Sequence, residues 1–287
     1  MKIAWFNNNV LGVVDGDRVY DVSAAMAKLP APGYPNRAGD WVIANLPLLR
    51  EHIEQILPTA TSYAVDSVDF LSPVANPGKI IGVPVNYQKH VEEAAVDVAT
   101  FTSRETGSVL EQGLFLKASS SLIGCSQAVT INMPERLTHH EIELGLVIGK
   151  TAKKVSKEEA LSYVAGYSIA LDMTVRGPED RSLRKSLDTY SVLGPWLVTA
   201  DEIADPQRLN LRLQVNGQVR QEANTSEMIL YIAEQIEWAS RFYTLEPGDI
   251  IMTGTCEGVG PVVDGDVLRA EIESVGMMEV RVVNEAK

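Results

Sequence analysis

Along HHEIELGLVIGKT, from His139 to Thr151, apolar side chains recur at every second position: Ile142, Leu144, Leu146 and Ile148. A period of two is the signature of a strand with one face turned to a core. Glu141 and Glu143 therefore share the other face. At a separation of roughly 5 Å and an effective dielectric of about 20, two carboxylates repel by something on the order of 3 kcal/mol. A cation, a shared proton or open water has to relieve that repulsion.

Strand patterning runs through most of the chain after Lys79. KIIGV, GLFLKAS, QAVTINM, GYSIALDMT, LGPWLVT, LNLRLQVNGQVRQE, GDIIMTG, DVLRAEIE and MMEVRVV have strand length and alternating or β-branched character. Asn216-Gly217, between two alternating runs, predicts a tight hairpin. Near the start, MKIAWFNNNVLGVVDGDRVYDV predicts a small antiparallel meander with turns at NNN and DGD. Helical spacing is found from Trp41 to Leu57, where Pro47 starts or kinks the helix. It recurs in SKEEALSYV, with Ser156 as cap and Glu159 three residues on, and in the amphipathic run from Ser226 to Tyr243. The stretch holding Pro58, Pro73 and Pro77 predicts a connection between a small N-terminal domain, residues 1–72, and a larger one, residues 73–287. The class is mainly β with peripheral helices, α+β.

Composition changes this picture little and charge changes it more. The 287 residues are 45% hydrophobic and 22% charged, as in ordinary globular enzymes. With 25 basic against 38 acidic residues the formal charge is -13, which disfavours nucleic acid and anionic membrane surfaces as partners. An anionic substrate then needs a metal or a basic group to reverse the local field. MKIAWFNNNVLG lacks the apolar core of a signal peptide, and no apolar run of about 18 residues is present to span a membrane, so a cytoplasmic protein is expected. Cys125 and Cys256 form no CxxC pair and read as buried small residues.

Several familiar signatures fail on spacing. Only three residues separate Gly145 from Gly149 in GLVIGKT, where a phosphate-binding loop needs four. GYSIA lacks the closing glycine of a nucleophile elbow, and there is no HExxH or GxGxxG. What remains is a set of carboxylates. Asp172 stands at the polar end of GYSIALDMTVR, and with Glu141 and Glu143 it offers oxygen ligands suited to a hard divalent ion such as Mg²⁺ or Mn²⁺. A solvated face and a turn cap also account for that spacing. In NYQKHVEE, His90 and Glu93 stand at i and i+3 on a helix start, where the carboxylate can orient the imidazole. A charged surface helix fits the same spacing.

The order of the segments narrows the choice. KIIGVPVNYQKHVEE, GLFLKASSSLIG, HHEIELGLVIGK, VAGYSIALDMTVR, KSLDTYSVLGPWLVT, LQVNGQVRQ and LEPGDIIMTGTCEGVG together resemble the fumarylacetoacetate hydrolase family from roughly Lys79 onward. The resemblance implies a β-roll or barrel-like core with a small N-terminal α/β domain, usually as a homodimer. It implies Glu141, Glu143 and Asp172 as ligands of a catalytic Mg²⁺ or Mn²⁺. His90 and Glu93 match the pair that activates a water on a lid, and the polar stretch AAVDVATFTSRETGSVLEQ suits such a lid. Lys185 in KSLDTY and Arg176 match cationic positions that create an anion site. Gly254 and Thr255, in Thr253-Gly254-Thr255, match a turn that holds a substrate carboxylate.

Departures from the family pattern follow Asp172, where the chain reads Met-Thr-Val-Arg-Gly177-Pro178-Glu179. Gly177 removes a carboxylate, and Glu179 puts a charge where the family has a neutral amide, placing it at the substrate or in a pair with Arg176 or Arg181. Cys256 and Ala118 stand where proline is common. The expected reaction is metal-dependent hydrolysis of a carbon-carbon bond in an acylpyruvate, a 1,3-diketo acid such as fumarylpyruvate, from aromatic catabolism. Decarboxylation of an oxaloacetate-type β-keto acid, or isomerisation of a 2-hydroxyhepta-2,4-diene-1,7-dioate-type diacid, would use the same residues. Outside the enzymes, a metal-stabilised binding module is the alternative.

Overall fold

The computed structural model describes residues 1–31, 33, 39–96 and 107–285. Its main sheet runs in the order Ser62–Ala64, Arg18–Asp21, Val10–Asp15, Lys2–Phe6, Ser191–Thr199, Val164–Asp172, Ile142–Ile148, Ile250–Met252, Ile80–Gly82, Phe115–Lys117. A five-stranded sheet carries the predicted hairpin, Asn210–Val215 against Gln218–Asn224, with Asn216 and Gly217 both at positive φ as a tight turn requires. A third sheet pairs Thr138–His140 with Thr174–Val175 and Gly260–Val262. The fold is mainly strands with helices outside them, as the pattern predicts.

Strand Ile142–Ile148 is central and every residue in it is buried. Ile142, Leu144, Leu146 and Ile148 enter the large apolar core, whereas Val147 joins a second cluster with Ile43, Val74 and Ile80. Both faces are thus covered. Relief of the glutamate repulsion by open water is ruled out, since Glu141 is 5% exposed and Glu143 2%.

The N-terminal meander has its own apolar cluster, with Leu11, Val22, Leu49 and Ile53. Yet Lys2–Phe6 is hydrogen-bonded to Ser191–Thr199 in the main sheet, Lys2 opposite Val198. Residue 72 lies in the connection between Phe70–Leu71 and Ile80–Gly82. Pro47 falls in the first turn of Leu46–Ile56, directly after the one-turn helix Trp41–Ala44 that Asp40 caps.

Two helix expectations need correction. The run from Ser226 to Tyr243 is α-helical only from Ile232 to Phe242, after a separate 3-10 turn at Thr225–Glu227. Asn86 is the cause: its carbonyl accepts the Ile229 amide at 2.8 Å and its Oδ1 the Leu230 amide at 2.7 Å, diverting the backbone groups a helix would use. Ser156 precedes the short helix Lys157–Ala160 without capping its backbone, its hydroxyl lying 3.4 Å from Glu159 Oε2 instead. Most of the stretch expected as a lid lies outside the described residues, although Ser108 and Glu111 cap the helix Val109–Gln112. No helix among the described residues is long and apolar enough to cross a membrane.

Candidate active site

Register brings the carboxylates together. The Asp172 amide donates to the Glu141 carbonyl at 2.9 Å where Val164–Asp172 pairs with Ile142–Ile148, so Asp172 faces the glutamates across the ladder. Oxygens of Glu141, Glu143 and Asp172 lie within 4.8 Å of one another, all in buried side chains.

Cations compensate these charges unevenly. Arg176 Nη2 donates to Glu141 Oε1 at 3.0 Å, and Lys185 Nζ donates to Glu141 Oε2 and Asp172 Oδ2 at 2.7 Å each. Lys117 Nζ donates to Asp172 Oδ1 and, at 2.7 Å, to the Tyr190 carbonyl. Burial opposes the charge on Glu141, but Lys185 and Arg176 outweigh it and hold the carboxyl well below the usual range. Lys185 is likewise opposed by burial and kept above the ordinary lysine value by Asp172 and Glu141. In Lys117 burial wins, and its pKa falls despite Asp172.

Glu143 differs. Its partner among the described residues is the Gly254 amide at 2.7 Å. Burial, with Asp172 and Glu141 beside it, pushes its carboxyl well above the ordinary range. A buried oxygen cluster with one carboxyl lacking a close cation fits a hard divalent ion, which would use the donor set and remove that penalty. Because the ion needs the ionised carboxylate, uptake is expected to release a proton, and apparent affinity to rise with pH below that raised pKa. Calorimetry of Mn²⁺ binding in buffers of different ionisation enthalpy measures the proton; heats independent of buffer would refute it.

The Thr253-Gly254-Thr255 turn faces inward. Thr253 Oγ1 donates to the Leu144 carbonyl at 2.9 Å and Thr255 Oγ1 to the Ile142 carbonyl at 2.8 Å, stapling the turn to the glutamate strand. Gly254 sits at φ +94°, and a Cβ there would lie 2.5 Å from that of Asn86, so only glycine fits. The turn does hold a carboxylate, but that of Glu143. Of the pair expected to meet substrate, Thr255 lines the cavity and Gly254 stands behind it.

His90 is buried on the helix Gln88–Val96, with Nδ1 2.8 Å from Glu93 Oε2. Glu93 Oε1 in turn accepts the Gly258 amide at 2.9 Å. With a carboxylate as acceptor, Nδ1 carries the hydrogen and the basic lone pair is on Nε2. His90, Glu141, Glu143, Asp172, Arg176 and Lys185 line one cavity.

Glu179 is not brought there. Its carboxylate takes a two-pronged bond from Arg136, at 2.6 and 3.1 Å, rather than one from Arg176 or Arg181. Arg136 Nε also donates to the Arg176 carbonyl at 2.8 Å. A Cβ on Gly177 would lie 1.3 Å from the Arg136 guanidinium, so both departures from the family pattern accommodate one arginine.

Three further residues bear on the site. Lys117 has no exposed side chain, and its signal was a lysine on an otherwise apolar strand. Arg181 lines the cavity mouth beside Phe115. Gln221, from the five-stranded sheet, accepts the Ile142 amide at 3.1 Å and donates to Thr255 Oγ1 at 2.8 Å, tying the glutamate strand to the turn that holds Glu143. Nothing local in VRQE marks it.

Residues 79–283 match the family model of the fumarylacetoacetate (FAA) hydrolase C-terminal domain. The chain belongs to the fumarylacetoacetate hydrolase family. Among its relatives in that family is a maleylpyruvate hydrolase of Aquipseudomonas alcaligenes, 52% identical over 288 residues, covering 98% of this chain and 99% of that protein. A mitochondrial oxaloacetate tautomerase of Homo sapiens is 37% identical over 229 residues, 75% of this chain and 70% of that one. The crystal structure of maleylpyruvate hydrolase from Sphingobium sp. SYK-6 in complex with manganese(II) ion and pyruvate is 41% identical, covers both chains fully and superposes with a TM-score of 0.85. The family's β-rich core is the fold described above.

Proposed function

We propose that this member of the family is a divalent-metal-dependent hydrolase that cleaves the carbon-carbon bond of an acylpyruvate of the maleylpyruvate type, releasing pyruvate. The observation that carries the reading is that His90, bonded to Glu93 on the same helix, lines the same cavity as three buried carboxylates and Lys185. Mg²⁺ or Mn²⁺ held by Glu141, Glu143 and Asp172 supplies a Lewis acid for the 2-oxo acid end of the substrate.

The chain's own groups do the rest. His90 Nε2 takes a proton from a water as its oxygen adds to the distal acyl carbonyl, and Glu93 holds the resulting imidazolium. The bond between that carbon and the pyruvate methylene then breaks, its electron pair passing to the pyruvate enolate. The proton from His90 returns to the enolate carbon and completes pyruvate. Lys185, kept cationic by its carboxylate neighbours, stands where the developing negative charge needs a partner. Arg176 holds Glu141 in place.

Relatives named as oxaloacetate tautomerases favour a second reading, in which the same residues move a proton without adding water. Pyruvate release from maleylpyruvate with Mn²⁺, measured with and without excess chelator, separates the two. Chelator-sensitive release is expected; no release from a metal-loaded protein that turns over oxaloacetate would transfer the assignment to the tautomerase. A cytoplasmic homodimer is part of the proposal, on the sequence and family resemblance alone.

A further inference from the structure

Resting on the ion-site part of the proposed function, we infer that Gln221 is a positioning residue for the divalent ion: from a separate sheet, its side-chain amide fixes the peptide groups that aim Glu141 and Glu143 at one point.

Glu141 stands where the chain changes sheets. Thr138–His140 pairs in the three-stranded sheet and Ile142–Ile148 in the main sheet, and Glu141 belongs to neither strand. On one side its carbonyl accepts the Asp172 amide at 2.9 Å. On the other side Ile250–Met252 pairs with Gly145–Val147 and stops short of the glutamates. Backbone groups at such a junction need partners from outside the ladder.

Gln221 supplies them. Its Oε1 accepts the Ile142 amide at 3.1 Å and His140 Nδ1 at 3.0 Å, so one oxygen grips the residues on both sides of Glu141. Its Nε2 donates to Thr255 Oγ1 at 2.8 Å and to the Cys256 carbonyl at 3.0 Å. Since a backbone amide only donates and a carbonyl only accepts, these partners fix which end of the side chain is oxygen and which is nitrogen. Thr255 Oγ1 passes its own hydrogen to the Ile142 carbonyl at 2.8 Å. A closed ring therefore runs through Gln221, Ile142 and Thr255, and Ile142 is the residue that joins the two glutamates. Beside Thr255, the Gly254 amide holds Glu143.

The strand that carries Gln221 is shaped for this reach. Gln218–Asn224 is the outermost strand of the five-stranded sheet, yet Gln221 is 1% exposed. Its pairing with Asn210–Val215 slips from Leu213 opposite Gln221 to Gln214 opposite Val219, which leaves Arg220 as an extra residue directly before Gln221. A bulge of this kind re-aims the neighbouring side chain. Groups that orient the ligands of a metal in this way typically change its affinity by about 10- to 100-fold.

The test measures calorimetric Mn²⁺ affinity and the EPR spectrum of the bound ion, which follows the symmetry of its ligands. Gln221→Met keeps the length of the side chain and removes its amide; it should weaken Mn²⁺ binding by about 10- to 100-fold and change the spectrum. Thr255→Val opens the ring at another member with little change of shape, and should move both readouts in the same direction. Because either substitution opens the ring, the double variant should lose less than the product of the two fold-losses. Leu268→Ala, which opens a cavity in the same five-stranded sheet, controls for lost stability and should bind Mn²⁺ as wild type does. If Gln221→Met does not fold, Thr255→Val decides alone. Unchanged affinity and spectrum in the variants that fold, independent losses in the double variant, or an equal loss in Leu268→Ala overturns the role of Gln221 and leaves the ion site standing. A wild type that binds no Mn²⁺ overturns the ion site as well.

Discussion

Replacing Asp172 by alanine is expected to cost ion binding and fold stability together, whereas Glu143→Gln should cost ion binding alone. Asp172 is the counter-charge of Lys117, whose side chain is fully buried. Removing one partner of a buried ion pair strands the other, a loss of about 3–5 kcal/mol. Among the described residues Lys117 then keeps only the Tyr190 carbonyl, and burial lowers its pKa even with Asp172 present. Glu143 is the opposite case. Its partner is a backbone amide, and burial beside Asp172 and Glu141 penalises its charge, so a neutral isostere relieves repulsion. Denaturant unfolding in chelator should rank Asp172→Ala well below wild type and Glu143→Gln level with it or above. Mn²⁺ titration should show weak or no binding in both. Equal destabilisation by the two substitutions would mean that Lys117 does not depend on Asp172.

The second large effect is kinetic. His90→Ala should retain Mn²⁺ with near-normal affinity and lose roughly 100- to 10,000-fold in kcat for pyruvate release, the usual contribution of a positioned general base. Glu93→Gln should lose less, because the amide keeps an oxygen for the His90 Nδ1 hydrogen and gives up only the charge that steadies the imidazolium. Metal retained with turnover lost in His90→Ala separates a role in proton transfer from a role in holding the ion. Full activity in that variant would remove His90 from the mechanism.

How far these features could be read beforehand depended on how local they are. Alternation in Ile142–Ile148 located a strand and paired two glutamates without any partner, because side-chain direction along a strand is fixed by its own period. The hairpin at Asn216-Gly217 was legible for the same reason. The i,i+3 contact of His90 and Glu93 needed only one helical turn. Asp172 was a candidate from its place at the polar end of a strand, and family resemblance was needed to choose the ligand reading over a turn cap, since its place opposite Glu141 comes from register between separate strands. Glu179 read as a site residue because Arg136, which holds it, is 43 positions away. The inward-facing turn at Gly254 and the late start of the helix Ile232–Phe242 share a cause in Asn86. No pattern within those segments carries that information. Lys117 and Gln221 were not singled out as site residues because Lys117 meets Asp172, and Gln221 meets the Ile142 amide and Thr255, only through strands that pair far along the chain.

The N-terminal meander has a bearing on solubility that is separate from catalysis. Ser191–Thr199 is a nine-residue strand of β-branched and apolar character, the kind of segment that recruits a neighbouring molecule when one side is left bare. Lys2–Phe6 pairs with its C-terminal end and Leu122–Ile123 with its start, and beyond Lys2–Phe6 successive strands carry the rim outward to Ser62–Ala64, three residues long. At the other rim Phe115–Lys117 is also three residues long. Among the described residues, the widest sheet therefore ends at both rims in strands too short to seed intermolecular β-pairing, and the long segments that could do so are enclosed.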